Sequence, residues 1–357
     1  MEDLPVIDLS VYFQDPTSDA AVAECRKAAE ALREYGALVV RDPRVTEQDN
    51  QCFLDMVEDY FGQPEEQKLK DVRPELGYQV GATPGLKEAP KCGTDAHCQK
   101  IIARMPEECR PQPINGPDPK WRFFWRIGEQ PESSQFPQLN ADPVVPEGFP
   151  TWETTMNNWG GHMHRAVLAV AELAAVGFGL PADAFTSLAK GGAHLLAPTA
   201  TDLSVHNKAG TVLAGFHYDF NLLTIHGKSR FPGLFIWPRN GSKKMAVRVP
   251  DGCLLVQAGR EMEWLTGGVV EAGYHEVIVS EATVKAIEHA KETRPDRPLW
   301  RISSTFFLHI ASDSLLRPLL ASNDPQVASQ YPEMLTGHYV QRELAGISLL
   351  ADAPAFD

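Results

Sequence analysis

The sequence has little of what marks a disulfide-rich, membrane-spanning or nucleic-acid-binding protein. Six cysteines in 357 residues are too few for a disulfide scaffold. The formal net charge of −14 disfavours binding to a nucleic-acid backbone, because an acidic surface repels a polyanion. The start, "MEDLPVIDLS", lacks the basic and apolar regions of a secretory signal, and the most apolar run, residues 166–180, is too short to cross a bilayer. We therefore expect a soluble, cytoplasmic protein without a nucleic-acid or membrane partner.

What is present is enough apolar material for a large core. Hydrophobic residues make up 43% of the chain and charged residues 22%, which is typical of a globular protein. We expect one domain over residues 1–357, with a helical flank and substrate-side loops at 1–192, a β-rich core at 193–312 and a C-terminal helical segment at 313–357. Apolar periodicity predicts helices ending at Gly36 and at Gly62 and a third over about 150–178.

The segment 71–150 and the part after residue 193 have different textures. The first is rich in Pro and Gly, and we expect loops there around one short strand, "WRFFWRIG". The second contains eight short β-forming runs, from "HLLAP" through "EMEWLTGG" to "WRISSTFFLHI", separated by turn residues. This pattern predicts a β-sandwich or jelly roll, mainly β with flanking helices. A charged helix is expected as an insertion at 280–298 and a last helix in "GHYVQRELAGISLL".

One ordered set of polar residues points to chemistry. His217 and Asp219 in "GFHYDFNLLTI" are two apart, so on a strand they share a face, and His275 in "GGVVEAGYHEV" is the natural third partner. Two His and one carboxylate are the ligand set of non-haem Fe(II) oxygenases. Arg301 and Ser303 form the one Arg-x-Ser of the sequence, and a guanidinium beside a hydroxyl suits a carboxylate. His217 with Asp219 alone would more simply be a histidine hydrogen-bonded to a neighbouring acid.

The order His-x-Asp, His, Arg-x-Ser resembles the isopenicillin-N-synthase-like family of Fe(II)/2-oxoglutarate dioxygenases. "LPVIDLS", "FGQPEEQKLK", "FPGLFIW" and "VPDGCLLVQAGREMEWLTGG" resemble further stretches of that family, so the resemblance covers nearly the whole chain. It implies a double-stranded β-helix with N-terminal helices packed against it. It also implies that His217, Asp219 and His275 bind Fe(II) and that Arg301 and Ser303 bind the distal carboxylate of 2-oxoglutarate. The implied reaction uses O₂, releases succinate and CO₂, and oxidises, most simply hydroxylates, a small organic molecule.

The sequence departs from the family pattern in the cosubstrate region. Many members carry an Asn-x-Tyr-x-Pro stretch whose Tyr helps hold 2-oxoglutarate, whereas this chain has "HLLAPTA", where His194 is a candidate substitute. His275 and Arg301 are 26 positions apart, a long separation caused by the insertion. Two other functions stay open: an Fe(II) oxidase that needs no 2-oxoglutarate, and a non-catalytic ligand-binding protein on the same fold.

Residues that would contact the substrate are harder to identify. Tyr78, Phe123 and Arg126 are candidates, because the family places this loop and strand beside the iron; an edge strand with solvated arginines is the simpler alternative for "WRFFWR". Zinc binding by the group Cys92, His97, Cys98 and Cys109 is disfavoured, because their spacing lacks the paired cysteines of structural zinc sites. The sequence leaves the substrate and the oligomeric state open.

Overall fold

Helices dominate the first half of the chain and short strands the second. The computed structural model describes residues 3–239, 243–320 and 325–350, so both predicted ends of the domain, at residues 1 and 357, lie outside the described residues. The helices are α1 (Leu9–Gln14), α2 (Asp19–Tyr35), α3 (Glu47–Phe61), α4 (Glu65–Leu69), α5 (Ala96–Arg104), α6 (Trp152–Gly177), α7 (Thr186–Ala189), α8 (Arg260–Leu265), α9 (Glu281–Thr293), α10 (Pro325–Gln330) and α11 (Thr336–Gly346). The strands are β1 (Val6–Asp8), β2 (Ala37–Arg41), β3 (Gly81–Thr83), β4 (Trp121–Arg126), β5 (Leu195–Leu196), β6 (Thr199–Asp202), β7 (Val212–His217), β8 (Leu223–His226), β9 (Leu234–Trp237), β10 (Met245–Ala246), β11 (Cys253–Ala258), β12 (Tyr274–Ile278), β13 (Trp300–Ser303), β14 (Thr305–Leu308), β15 (Leu315–Leu316) and β16 (Met334–Leu335).

The strands of the described residues form two larger sheets and one hairpin-sized pair. The larger sheet has the order β1-β2-β11-β8-β14-β5-β4-β6-β13, with β3 paired to β4. The second has the order β10-β9-β12-β7, and β15 pairs with β16. Ile236 of β9 and Leu255 of β11 belong to one buried cluster, so the two larger sheets pack face to face there. The molecule is thus a sheet-rich fold with helices, as the sequence predicts.

The N-terminal helices cover the larger sheet. Helix α6 packs against α2 and α3 on one side and against β8 and β14 on the other. The predicted apolar stripe of α6 is confirmed, because Met156, Trp159, Met163 and Val170 are all fully or almost fully buried. Helix α2 begins where the Ser18 side chain accepts a hydrogen bond from the Ala21 amide and ends at Gly36, whose φ of 61° suits glycine.

The inserted helix α9 begins with a reciprocal Ser280–Thr283 cap, and the segment that follows it forms ion pairs with α3. Arg297, which follows α9, lies 3.0 Å from Glu58. Arg230, from the loop after β8, lies 2.9 Å from Asp55 and so joins the same group of charges. The helix predicted at 280–298 is therefore present, and its buried Ile287 packs in one apolar cluster with Leu213 of β7 and Val277 of β12.

The structure differs from the sequence prediction in several elements. "EMEWLTGG" is not a strand: after Gly259 the chain turns into α8, whose buried Glu261 and Glu263 each bond to a distant element. Strand β6 and helix α5 are not predicted by the sequence analysis, although α5 has an apolar face that includes Cys98, Ile101 and Ile102. "VLAGFHYDFNLLTI" is two strands rather than one, since β7 ends at His217.

The cysteines also behave differently from the zinc alternative. Cys92 and Cys98 form a disulfide, and both are fully buried. This bond lies between a 3₁₀ turn (Lys91–Gly93) and α5, in the segment predicted to be loops. A Cys92-based zinc site is thereby excluded, and a single disulfide is consistent with too few cysteines for a disulfide scaffold. None of the helices in the described part of the chain is long and apolar enough to cross a membrane.

Candidate active site

The fold brings His217, Asp219 and His275 together. Strands β7 and β12 pair with His275 opposite His217, and the two imidazole rings are 4.2 Å apart. Asp219 Oδ1 lies 3.8 Å from His217 Nε2 and 3.9 Å from His275 Nε2. One potential ligand atom from each residue falls within 4.8 Å of the others, which is the separation that donors to one metal ion need.

The outer nitrogen of each imidazole is bonded to the backbone. His217 Nδ1 is 2.6 Å from the Gly215 carbonyl and His275 Nδ1 is 3.1 Å from the Gly273 carbonyl. Such a bond makes Nδ1 the protonated nitrogen and leaves Nε2 with a free lone pair. Both Nε2 atoms face Asp219, so the two rings are oriented as metal-ligating histidines are.

The carboxylate is fixed by the strand that follows it. Because β7 ends at His217, Asp219 stands in the turn before β8 rather than on the strand, and strand alternation is not what aims it. Thr224 of β8 donates a 2.7 Å hydrogen bond to Asp219 Oδ2, which leaves Oδ1 toward the imidazoles.

The ionisation of the site follows from burial and from its neighbours. Burial opposes the charge of Asp219, but His275 and His217 outweigh it and lower the pKa of this carboxyl. Burial and the adjacent His275 lower the pKa of His217 to about 3. A carboxylate beside a neutral imidazole is the protonation state that a divalent metal ion requires of its ligands.

Arg301 and Ser303 lie on β13 and meet. Arg301 donates a 2.7 Å hydrogen bond to Ser303 Oγ and a 3.3 Å bond to the Pro232 carbonyl. Burial lowers the pKa of Arg301 to about 10, and among the described residues no acidic side chain forms an ion pair with it. A buried guanidinium without a counter-ion is costly, so this site is suited to an anion from outside the chain. Arg301 and Ser303 line a cavity that the loop 227–233 borders.

A polar network next to Arg301 was not foreseen from the sequence. His226 of β8 lies 3.2 Å from Thr305 Oγ1 through Nδ1 and 2.9 Å from Gln257 Oε1 through Nε2. The Nε2 atom of Gln257 is buried without a hydrogen-bond partner. His226 lines the Arg301 cavity. His194, the proposed substitute for the missing Tyr, is elsewhere: it accepts a hydrogen bond from the His309 amide and stacks near His164.

A second cavity is lined by His217 and Asp219, two of the three converging residues. The two cavities share no lining residue. Arg301 and Ser303 of β13 line the first cavity, whereas Phe307 of β14 lines the second. The second cavity is lined by Gln79, Glu88, Ala89, Pro90, Lys91, Cys92, Asp118, Lys120, Arg122, Phe124, Leu195, His217, Tyr218, Asp219, Phe220, Asn221, Phe307, His309, Glu343, Leu344, Ile347 and Leu349.

The residues predicted to contact substrate are not among these. Phe123 is fully buried and packs on Trp152, because the alternation of β4 turns it toward the helices. Arg126 is buried and bonds to Asn140 and to the Gly192 carbonyl. Tyr78 neighbours a lining residue but does not line the cavity itself.

The opposite face of β4 lines the cavity instead. It contributes Arg122 and Phe124. The period of two in "WRFFWR" separates these residues from Phe123, and what the sequence does not indicate is which face of the strand meets the cavity.

One protein-family model matches the N-terminal part of the chain. Residues 4–147 match the family model described as "non-haem dioxygenase in morphine synthesis N-terminal". No curated protein matches the chain significantly.

Solved structures resemble the chain over almost all of its length. A 2OG-Fe(II) oxygenase family protein of Caulobacter crescentus is 20% identical, with a TM-score of 0.72 over 97% of this chain and 99% of that one. A full-length Neurospora crassa protein, solved in complex with alpha-KG and thymine, is 19% identical, with a TM-score of 0.70 over 96% of both chains. JOX2 in complex with 2OG, Fe and JA is 18% identical, with a TM-score of 0.64 over 95% of this chain and 84% of that one. The fold of these proteins is the fold of this chain.

Proposed function

We propose that this chain, which has the fold of the 2OG-Fe(II) oxygenases and an N-terminal part that matches a non-haem dioxygenase model, is an Fe(II)- and 2-oxoglutarate-dependent dioxygenase. The observation that carries the proposal is the convergence of His217, Asp219 and His275 with their ligand atoms within 4.8 Å. The reaction would oxidise, most simply hydroxylate, a small organic molecule and release succinate and CO₂.

The donor set fits iron. Two imidazoles and one carboxylate on one face leave the other face open, which is the arrangement of non-haem Fe(II) oxygenases. The ion, when bound there by His217, Asp219 and His275, would supply the O₂ chemistry. Thr224 and the carbonyls of Gly215 and Gly273 would hold these ligands in their orientation.

Arg301 and Ser303 are suited to the distal carboxylate of 2-oxoglutarate. Arg301 is buried, its charge is not matched by an acid among the described residues, and its neighbour Ser303 adds a hydroxyl. A bidentate, charge-assisted contact of this kind fixes both the position and the direction of a dicarboxylate. We interpret the two face-to-face sheets as a double-stranded β-helix. Arg301 and Ser303 would lie in one part of its interior and the histidine pair in another.

A small-molecule substrate is consistent with the cavity and with the neighbours. The cavity is lined by apolar side chains together with a small number of polar ones, as small-ligand sites are. The Neurospora crassa protein was crystallised with thymine and JOX2 with JA, which are both small molecules of different chemistry. We therefore expect a small organic substrate, whose class depends on the lining of this chain's own cavity.

The experiment that tests the proposal is an anaerobic titration of the Fe(II)-loaded protein with 2-oxoglutarate. We expect the visible charge-transfer band of a chelated 2-oxo acid, and its midpoint gives the affinity. His217→Ala is the matched variant, in which iron binding and the band should be lost while the circular dichroism spectrum stays unchanged.

Each failure of this experiment has a defined meaning. Iron binding without the band would favour an Fe(II) oxidase that needs no 2-oxoglutarate. Failure of the folded protein to bind iron would favour a ligand-binding protein on the same fold. An unchanged band in His217→Ala would remove that residue from the ligand set.

A further inference from the structure

The cavity beside the histidine pair carries buried ion pairs that the proposed reaction does not require. Glu88 lies in the segment before the 3₁₀ turn at Lys91–Gly93, and its side chain is about 90% buried. Its carboxylate is 3.0 Å from Arg122 and 3.3 Å from Lys120. Lys120 is also paired with Asp118, which accepts a 2.9 Å hydrogen bond from the Gly215 amide of β7. The four charged residues are joined into one group, and all four line the cavity.

This group lies close to the predicted metal ligands. His217 and Asp219 line the same cavity as Glu88. Burial opposes ionisation of Glu88, but Arg122 and Lys120 outweigh burial and lower its pKa. The segment that contains Glu88 and Pro90 can approach β7 because residue 215 is glycine, and a Cβ at that position would lie 2.8 Å from Pro90. A substrate held by Glu88 and Arg122 would therefore have its remaining atoms near the histidine pair.

The charges that line the cavity balance each other. Apart from Asp219, its acids are Glu88, Asp118 and Glu343, and its cations are Lys91, Lys120 and Arg122. Each cation is paired with one of these acids. An incoming carboxylate would meet Glu88 beside Arg122, and the two like charges would repel each other in a poorly hydrated space. The lining thus disfavours the substrate anion that a lone arginine on this strand would attract.

The pair instead offers one acceptor and one donor side by side. The Glu88 carboxylate has lone pairs for further hydrogen bonds, since an ionised carboxylate accepts about four. Arg122 has spare N–H groups, and its Nε is buried without a hydrogen-bond partner. A molecule with an N–H next to a C=O, as in a lactam or cyclic imide, would satisfy both groups at once.

Aromatic rings define the shape of the site around this pair. The Arg122 guanidinium carbon is 5.1 Å from the ring centroid of Phe124 and 5.9 Å from that of Phe307. Both phenylalanines line the cavity, as does Phe220. Flat faces of this kind pack well on a planar ring.

Resting on the proposed function, we infer that the substrate is a small, neutral, planar heterocycle with a lactam edge, whose N–H donates to Glu88 and whose C=O accepts from Arg122. The oxidised C–H would lie on the part of the ring away from this edge. The inference concerns the substrate cavity alone and does not involve Arg301 or Ser303.

The test compares two planar ligands with six-membered rings, the neutral lactam 2-pyridone and the anion benzoate. The full-length protein, loaded with Mn(II) and 2-oxoglutarate to prevent turnover, is titrated with each in a calorimeter. We expect 2-pyridone to bind at least tenfold more tightly than benzoate. In Glu88→Gln, the lactam should bind about fivefold to tenfold more weakly, because a charged acceptor becomes a neutral one. Benzoate should bind more tightly in the same variant, because the repelling charge is gone.

The control and a second variant keep the result specific. Asp42→Asn alters another buried carboxylate, paired with Arg44 at 2.7 Å and outside both cavities, and should leave both affinities unchanged. Arg122→Lys keeps the charge but removes the forked donor, so it should weaken 2-pyridone binding even if Glu88→Gln does not fold. Opposite shifts for the two ligands would not arise from a merely structural role of Glu88.

Three results would overturn the inference: no measurable 2-pyridone binding, equal or tighter binding of benzoate, or an unchanged affinity ratio in folded Glu88→Gln. Binding of 2-oxoglutarate is measured on the same samples. Loss of 2-oxoglutarate binding contradicts the proposed function, whereas normal 2-oxoglutarate binding without a lactam preference contradicts this inference alone.

Discussion

Replacing Arg301 by Met should stabilise the ligand-free protein and remove its response to 2-oxoglutarate. Burial lowers the pKa of Arg301 from 12.5 to about 10. One pKa unit corresponds to about 1.4 kcal/mol, so keeping this charge buried without an anion costs ~3 kcal/mol. The substitution also removes the bonds to Ser303 and to the Pro232 carbonyl, worth about 1 kcal/mol each. Met fills a similar space, and we therefore expect a net gain of about 1 kcal/mol in unfolding free energy.

The order of stability should reverse when 2-oxoglutarate is added. A ligand at a hundred times its Kd stabilises the folded state by about 2.7 kcal/mol. Wild type should gain this amount in urea unfolding with Mn(II) present, and Arg301→Met should gain almost nothing. The variant is thus more stable without the ligand and less stable with it.

Arg126→Met is the matched control for this experiment. Arg126 is also buried, but it bonds to the Asn140 side chain and to the carbonyls of Glu129 and Gly192. Losing these contacts should leave the gain from 2-oxoglutarate intact, because Arg126 does not line the Arg301 cavity. The reasoning would be refuted if Arg301→Met were less stable than wild type without ligand, or if 2-oxoglutarate stabilised both equally.

Three further predictions concern single side chains. Asp219→Ala should abolish iron-dependent turnover while retaining a cooperative unfolding transition; measurable turnover in the variant would sink the ligand assignment. Thr224→Val should weaken Fe(II) affinity by about tenfold, because it removes the 2.7 Å bond that orients Asp219, and Thr224→Ser should restore it; equal affinities in a competition assay would contradict this role. Burial lowers the pKa of His164 from 6.5 to about 4, so the unfolded chain binds a proton that the folded protein does not, and stability should fall as the pH drops from about 6.5 to 4. Urea midpoints should therefore decline less steeply with acid in His164→Phe, and parallel declines would count against it.

The sequence predicts the fold best where apolar periodicity is strong. The stripe along α6 is buried as expected, and in β4 Trp121, Phe123 and Trp125 join the main core while Arg122 and Phe124 line the cavity. Strand β6, "TATD", has no apolar pattern of its own. Its pairing with β13, rather than its composition, makes it a strand. Helix α8 is predicted as a strand for a related reason, because its Met262, Trp264 and Leu265 suit either a strand or a helix. The hydrogen bonds of its buried glutamates to distant elements favour the helix.

In the active site, the sequence indicates which residues take part, and the packing of the fold decides where they lie. The sequence order picks out His217, Asp219 and His275, and register across β7 and β12 places the two histidines opposite each other. Nothing local in the sequence says that Glu88 meets Arg122, because the contact joins a loop to a strand 34 residues away. The orientation of β4 against the cavity is likewise set by packing. The sequence therefore does not reveal that Phe123 faces the helices instead of the cavity.

The ion pairs that Arg230, Arg294 and Arg297 form with α3 give the surroundings of Arg301 a dependence on ionic strength. Arg230 belongs to this group of charges and also lines the Arg301 cavity. The Debye length is about 10 Å at 0.1 M salt and shortens as salt is added, so added salt weakens the exposed members of the group. The rim of that cavity should therefore loosen in concentrated salt, while His217, Asp219 and His275, which take no part in these pairs, keep their spacing.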